Sequence, residues 1–183
     1  MSPKAKEALQ LVNTSLQEFN IDWMTRDAAT IDILPIPKKK RFEPRDHIYD
    51  NYNLTLGREG NEIGRANVES WDEAVGEESI RIVTVEDLYL KNSYYNHSAY
   101  LALLRETAKA EPEAVRIEGM PTNDMAAVTL DLDTFGLLPE GWAARYFRVE
   151  DSELIELQYP IEVYENIRDG QQVYHTIERI TEN

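Results

Sequence analysis

The sequence predicts an α+β fold: a largely antiparallel sheet with an N-terminal helix, a central helix and a long C-terminal β-hairpin. Three observations lead there. Apolar residues follow helical spacing in two segments, they recur at every second position through most of the remainder, and no internal repeat or low-complexity tract points to a solenoid. Hydrophobic residues make up 42% and charged residues 29% of the 183, a globular composition rather than a disordered one. That length suits a single α+β domain over residues 1–183, which can bury about 70% of its unfolded surface without a staple.

The first expected element is a helix over residues 3–19, where Leu9, Val12, Leu16 and Phe19 share one face, Ser2 caps and Pro3 takes the first helical position. A connection to residue 29 leads to a short alternating strand, Thr30 to Leu34. Leu34-Pro35-Ile36-Pro37 opens an extended Pro/Lys arm over residues 34–47, because each proline fixes its own φ and biases its predecessor away from helix. Residues 45–53 read as irregular, residues 52–56 as a strand, Gly57 to Glu62 as a turn, and Ile63 to Val68 as the return strand.

Ser79 to Val85 alternates as a buried strand, after which Thr84 is placed as the cap of a short helix, Glu86 to Lys91. Asn96 begins the central helix, with Tyr100, Leu103, Leu104 and Thr107 on one side and a stop before Pro112. Three strands are then expected, one at Val115 and Ile117, one through Val128, Leu130 and Leu132, and one over Ala144 to Val149. The terminal hairpin spans residues 153–180: Ile155, Leu157, Tyr159, Ile161 and Val163 alternate with polar residues, Arg168-Asp169-Gly170 turns, and Val173 to Ile180 returns. Pro160 makes its first strand an edge or interrupts it.

Charge is unevenly placed. Asp and Glu number 34 against 19 Lys and Arg, a formal net charge of −15, and a surface of that sign repels phosphate backbones, so no direct nucleic-acid binding is expected. Residues 1–60 hold nine charges of each sign, so the whole excess lies in residues 61–183. The basic run Lys38, Lys39, Lys40 and Arg41 admits three readings: a nuclear-import-like signal, a solvated loop, or an arm that docks on the acidic body of a neighbouring copy or partner. Tyrosine is used ten times and clusters centrally, which makes Tyr94 and Tyr95, with His97 beside them, candidate contacts. Glu156 and Glu162 on the acidic face of the hairpin complete the interaction candidates.

Chemistry-bearing motifs are scarce. There is no cysteine, hence no disulfide frame, thiolate metal site or cysteine nucleophile. Glycine-rich phosphate loops and the nucleophile elbow are absent, and the loose cluster of Gly57, Gly60 and Gly64 holds Glu59 and Glu62, which oppose a phosphate. His47, His97 and His175 fit no metal spacing, although Asp46 and Asp50 flank His47. Asp131 and Asp133, two apart on an expected strand, share a face and suit a divalent cation or an acid/base pair, as any polar strand face does. No cofactor, metal set or catalytic set is assigned.

The first residues carry no apolar signal core, and no stretch approaches about 18 consecutive apolar residues. A cytoplasmic protein is therefore expected, or one packaged into a particle from the cytoplasm, without membrane contact. The function expected is that of a non-enzymatic acidic assembly subunit acting through protein partners or copies of itself, such as a phage head, neck or tail component. Two alternatives stand beside it: an acidic nucleic-acid mimic that inhibits a nuclease or host-defence enzyme, and an enzyme whose carboxylate site is assembled by the fold.

Overall fold

The computed structural model describes residues 26–33, 40–42, 48–91, 96–119 and 123–180. Nine strands among these residues form one sheet: β1 (Asp32–Ile33), β2 (Lys40–Phe42), β3 (Tyr49–Arg58), β4 (Asn61–Val75), β5 (Glu78–Leu90), β6 (Ala114–Glu118), β7 (Trp142–Glu150), β8 (Glu153–Glu156) and β9 (Tyr174–Arg179). Helices accompany them, α1 (Asn96–Ala110), α2 (Asn123–Thr134) and α3 (Ile161–Arg168), and residues 26–29 are helical as well. The strand order is β1-β3-β4-β5-β6-β9-β7-β8, with β2 beside β3. Every pairing is antiparallel except β5 with β6, which α1 connects as a crossover. The α+β class, the largely antiparallel sheet and the central helix are as the sequence predicts.

The β3–β4 hairpin follows from alternation and turn chemistry. Tyr52, Leu54 and Leu56 point to the core and lie opposite Val68, Ala66 and Gly64. Glu59 and Gly60, both at positive φ (50° and 78°), make the two-residue turn whose twist matches the strands. At Gly64 a Cβ would stand 2.6 Å from the Tyr89 carbonyl oxygen, so only glycine lets β5 approach there.

Both α1 and α2 cover the sheet face that carries Ile117 and Ile177. Residues 98–104 of α1 are buried without a break, because the helix packs against the sheet and against α2 at once. A second, smaller core joins Ala126 and Leu130 of α2 to Val163 of α3, Tyr146 and Leu157.

Several expectations are corrected. Residues 123–134 form a helix, not the strand expected through Val128, Leu130 and Leu132. Its apolar residues alternate because it is gripped on two sides: Met125, Val128 and Leu132 enter the main core and Ala126 and Leu130 the smaller one. Residues 86–90 continue β5 rather than turning helical, since Leu88 and Leu90 pair with Ala66 and Gly64. The stretch read as irregular to residue 53 is already strand from Tyr49.

The C-terminal hairpin is modest. It joins β7 to β8 through Asp151 and Ser152, both at positive φ, and pairs Glu150 with Glu153 to Phe147 with Glu156. Residues 161–168 are α3, not a strand, with Pro160 at the N-cap, where a missing N–H costs nothing. The return strand β9 does occur, but it lies between β6 and β7. The expected helix over residues 3–19 lies outside the described residues, as do 34–39 and 43–47 of the arm; Lys40–Phe42 pair with Tyr49–Asn51 as β2. Among the described residues no helix is long and apolar enough to cross a membrane.

Candidate functional site

The parallel pair in the sheet is the origin of the site. β5 and β6 stay paired from Arg81 with Ala114 to Thr84 with Glu118, and β6 then ends while β5 runs on to Leu90 with β4 as its partner. The sheet forks at this point. One residue beyond the last pair, β5 carries a bulge: Val68 opposes Val85 and Asn67 opposes Asp87, so Glu86 has no opposite number. A bulge of this kind bends a strand and re-aims a side chain, and bulges gather beside active sites.

A cleft of about 510 Å³ opens at the fork. Thr84, Val85 and Glu86 of β5 form one wall, and Arg116, Glu118 and Gly119 at the end of β6 form the other. His175 and Thr176 of β9 lie between them, and Phe147, Leu154 and Tyr174 form an apolar rim.

Alternation on β6, β9 and β7 puts Ile117, Ile177 and Tyr146 under the helices and turns Arg116, Glu118, Glu178 and Arg145 to the other face. There Arg116 reaches Glu178 at 3.2 Å and Glu118 at 3.8 Å. Arg145 reaches Glu178 at 3.1 Å and grips Glu156 with two nitrogens at 2.9 Å, while its guanidinium lies 5.1 Å from the centre of the Phe147 ring. The arginines of the cleft are thus matched by carboxylates, and the hydrogen bonds Arg145 donates to Glu156 and Glu178 raise its pKa further.

Glu86 makes no ion pair among the described residues. Partial desolvation, followed by the like charges of Glu69 and Asp87, raises its pKa above the ordinary 4.5. A carboxylate in that condition accepts a proton near neutrality better than a solvated one does.

Beneath the fork, Gly119 lies so close to the His175 ring that a Cβ would stand 2.1 Å from Nε2. The ring is 4% exposed, and burial lowers its pKa to about 4, which keeps it neutral. Tyr100 lies 3.3 Å from His175 Nε2, and its own pKa is pushed up to about 12 by burial, with a Thr129 hydrogen bond opposing.

Of the residues singled out from sequence, Lys38, Lys39, Tyr94, Tyr95 and His47 lie outside the described residues. Lys40 and Arg41 stand in β2 opposite Asn51 and Asp50. His97 begins the first turn of α1 and binds Asp131 of α2 at 2.7 Å, Nε2 to Oδ2. Glu156 is the bidentate partner of Arg145, and Glu162 accepts the Gln158 N–H at 2.6 Å at the start of α3. His97, Glu156 and Glu162 do not line the cleft.

Asp131 and Asp133 do not share a strand face. On a helix two residues apart they diverge, Asp131 to His97 and Asp133 to the Tyr146 hydroxyl at 3.1 Å. Burial raises both carboxyl groups, Asp133 to about 6, and the hydrogen bonds from His97 and Tyr146 oppose the shift. Among the described residues no group of three or more metal-ligating side chains converges.

Asp133 also carries a pH prediction. Its folded pKa of about 6 exceeds the ordinary 3.8, so the folded state binds more protons between those values and gains stability as pH falls through that window. At pH 7 the ionised group costs stability. Asp133→Asn is therefore expected to stabilise the chain at pH 7 by about 1–2 kcal/mol, after discounting for partial exposure, with the gain shrinking toward pH 4. Urea denaturation at the two pH values measures this; equal gains at both refute it.

The residues of the cleft escaped the sequence reading, yet one signal was there. Apolar positions on β5 keep a period of two at Val83 and Val85, slip by one, and resume at Leu88 and Leu90. That slip is the mark of the bulge at Glu86.

No family model matches this sequence, and no curated protein sequence matches it. Among solved structures the chain shows a distant likeness to two acetyl-transfer proteins. One is the acetyltransferase of the GNAT family from Streptococcus pneumoniae, 20% identical over 71% of this chain and 67% of that one, with a TM-score of 0.35. Another is N-acetylglutamate synthase from Neisseria gonorrhoeae in complex with coenzyme A and N-acetyl-glutamate, 12% identical over 71% of this chain and 26% of that one, with a TM-score of 0.32. The expectation of a non-enzymatic assembly subunit, such as a virion component, is corrected here, because these neighbours are acetyltransferases and not particle subunits. Scores of this size equate no residues and assign no reaction, so the chemistry rests on the cleft.

Proposed function

We propose that the chain is an acyltransferase that moves an acyl group from a thioester to an amine within the β5–β6 fork. The observation that supports this is the bulged Glu86 at the mouth of the cleft, beside a strand edge that has no partner among the described residues. Each part of the reaction finds a group there. An amine arrives as an ammonium ion, which the acidic mouth attracts. Glu86 takes one proton from it, so the nitrogen lone pair is free to attack the acyl carbon.

The C–N bond forms as the C–S bond breaks, and the departing sulfur takes the second proton that the nitrogen sheds. An extended, amide-bearing donor suits the open edge of residues 85–90, where backbone groups pair with a ligand as they would with a strand. Backbone N–H groups on the same edge suit the oxyanion that develops on the acyl carbon.

Acetyl-coenzyme A is the donor to use first, coenzyme A being the ligand of the gonococcal synthase structure. The full-length chain is incubated with it and a panel of amino acids, polyamines and short peptides, while thiol release and product mass are followed. Acceptor-dependent thiol release with an N-acetylated product is expected. Absence of both release and acetyl-coenzyme A binding would overturn the proposal.

A further inference from the structure

On the sheet face away from the helices, Thr84, Glu118, Thr176 and Arg145 pair side by side across β5, β6, β9 and β7. Two residues further on, β6 has ended, and the same face runs from the bulged Glu86 across the fork to Tyr174 and then Phe147, its partner on β7. Leu154 of β8 lies diagonal to Phe147, opposite Val149. Neighbouring strands are about 4.8 Å apart, so β5 and β9 stand about 10 Å apart, or more where the fork opens. A ligand nitrogen at Glu86 therefore has an apolar wall within a fixed reach.

Charge restricts what bridges that gap. Three carboxylates and two guanidinium groups line the cleft. Arg116 is held by Glu178 and Glu118, and Arg145 by Glu178 and Glu156, so both cations are already matched and a ligand carboxylate or phosphate meets no spare partner. Glu86 suits one ammonium group. Beyond it the wall offers two rings and a leucine rather than a second free carboxylate, because Arg145 grips Glu156 with two nitrogens.

The wall is open to solvent. Leu154 is 66% exposed, Val149 53% and Tyr174 36%, and the Arg145 guanidinium over the Phe147 ring holds that ring in place. Apolar side chains exposed singly are ordinary, but a contiguous set on three neighbouring strands beside a cleft marks a binding surface. We propose that Tyr174, Phe147 and Leu154 select the acyl acceptor, a primary amine with a single ammonium group at Glu86 and a long apolar body laid over these three side chains. This deepens the acyl-transfer reading and rests on it for the reaction, though not for the binding of the amine.

Calorimetry on the full chain without donor tests the wall, with butylamine, octylamine, 1-octanol and spermidine as probes at physiological salt. Octylamine is expected to bind one per chain and at least about tenfold more tightly than butylamine, each buried methylene contributing up to about fourfold. 1-Octanol has the chain without the charge, and spermidine the length without the apolar body; each is expected to bind at least about tenfold more weakly than octylamine. Leu154→Ser, at a position too exposed to threaten the fold, and Tyr174→Ser are expected to weaken octylamine about three- to tenfold more than butylamine. Glu86→Gln is expected to weaken both amines alike.

Equal affinity for the two amines, 1-octanol or spermidine binding as tightly as octylamine, or wall variants that weaken both amines alike, overturns the proposal. Displacement of octylamine by coenzyme A also overturns it, because the wall then belongs to the donor. Octylamine that binds as expected but is not acylated by acetyl-coenzyme A supports the amine site and refutes the transfer reading. Acylation of butylamine and octylamine with equal kcat/KM refutes the wall and supports the transfer.

Discussion

Glu86→Gln is expected to lower the rate of acyl transfer by about 10²- to 10⁴-fold, the usual contribution of a positioned general base. Glutamine keeps the shape and the hydrogen-bonding oxygen but takes no proton at neutral pH, so the loss should fall on turnover and leave donor binding nearly intact. A pH profile separates this from a structural effect. Glu86 acts as the ionised form, so activity rises with pH through its folded pKa, which desolvation and the charges of Glu69 and Asp87 hold above 4.5.

Glu69→Gln and Asp87→Asn should each move that acid limb to lower pH, because each removes a like charge. Glu86→Gln should abolish the limb altogether. A variant within tenfold of the parent rate, or an acid limb that survives it, excludes Glu86 as the base.

Gly119→Ala is expected to destabilise the fold by about 1–3 kcal/mol, the ordinary cost of overpacking. The added methyl would meet His175 Nε2 at 2.1 Å and the Tyr100 hydroxyl at 2.9 Å, two groups that are themselves buried. Tyr100 packs in the main core with Ile117 and Ile177, and His175 is itself buried, so the displacement is costly. Urea denaturation with an unchanged slope measures the loss.

Truncating the ring in a His175→Ala background removes the clash, so Gly119→Ala should then cost less, and the double-mutant cycle should show coupling. Additive losses would mean that the ring and the glycine do not press on each other.

The parts of the fold legible from sequence are those where one side of an element faces the core and the other faces water. The central helix could be placed from Tyr100, Leu103, Leu104 and Thr107, and α1 spans Asn96–Ala110. The β3–β4 hairpin could be placed because Leu54 and Leu56 alternate up to Gly60, whose φ of 78° suits the turn. The errors share a cause. α2 is buried on two sides, so Val128, Leu130 and Leu132 mimic a strand, and only contact with two separate cores makes them helical.

In the terminal segment the mistake ran the same way. Ile155 and Leu157 begin an alternation that Val163 continues in the sequence, but β8 ends at Glu156 and α3 buries Val163 on a helical face behind Pro160. Local pattern cannot tell which apolar residues are to be covered and which, like Leu154 at 66% exposure, stay at the surface.

The candidate site was less legible still, for a physical reason. Glu86, Gly119, His175 and Thr176 come from two strands and the residue after a third, distant in the chain, and each looks ordinary among its sequence neighbours. Composition and periodicity alone determined the α+β class, the largely antiparallel sheet, the central helix and the lopsided charge, because hydrophobic period and charge are properties of short segments. Folding decided the rest: the parallel pairing of β5 with β6, the bulge beside it, the neutral imidazole under Gly119 and the cleft between them. These depend on strand order, and strand order depends on which distant surfaces cover one another.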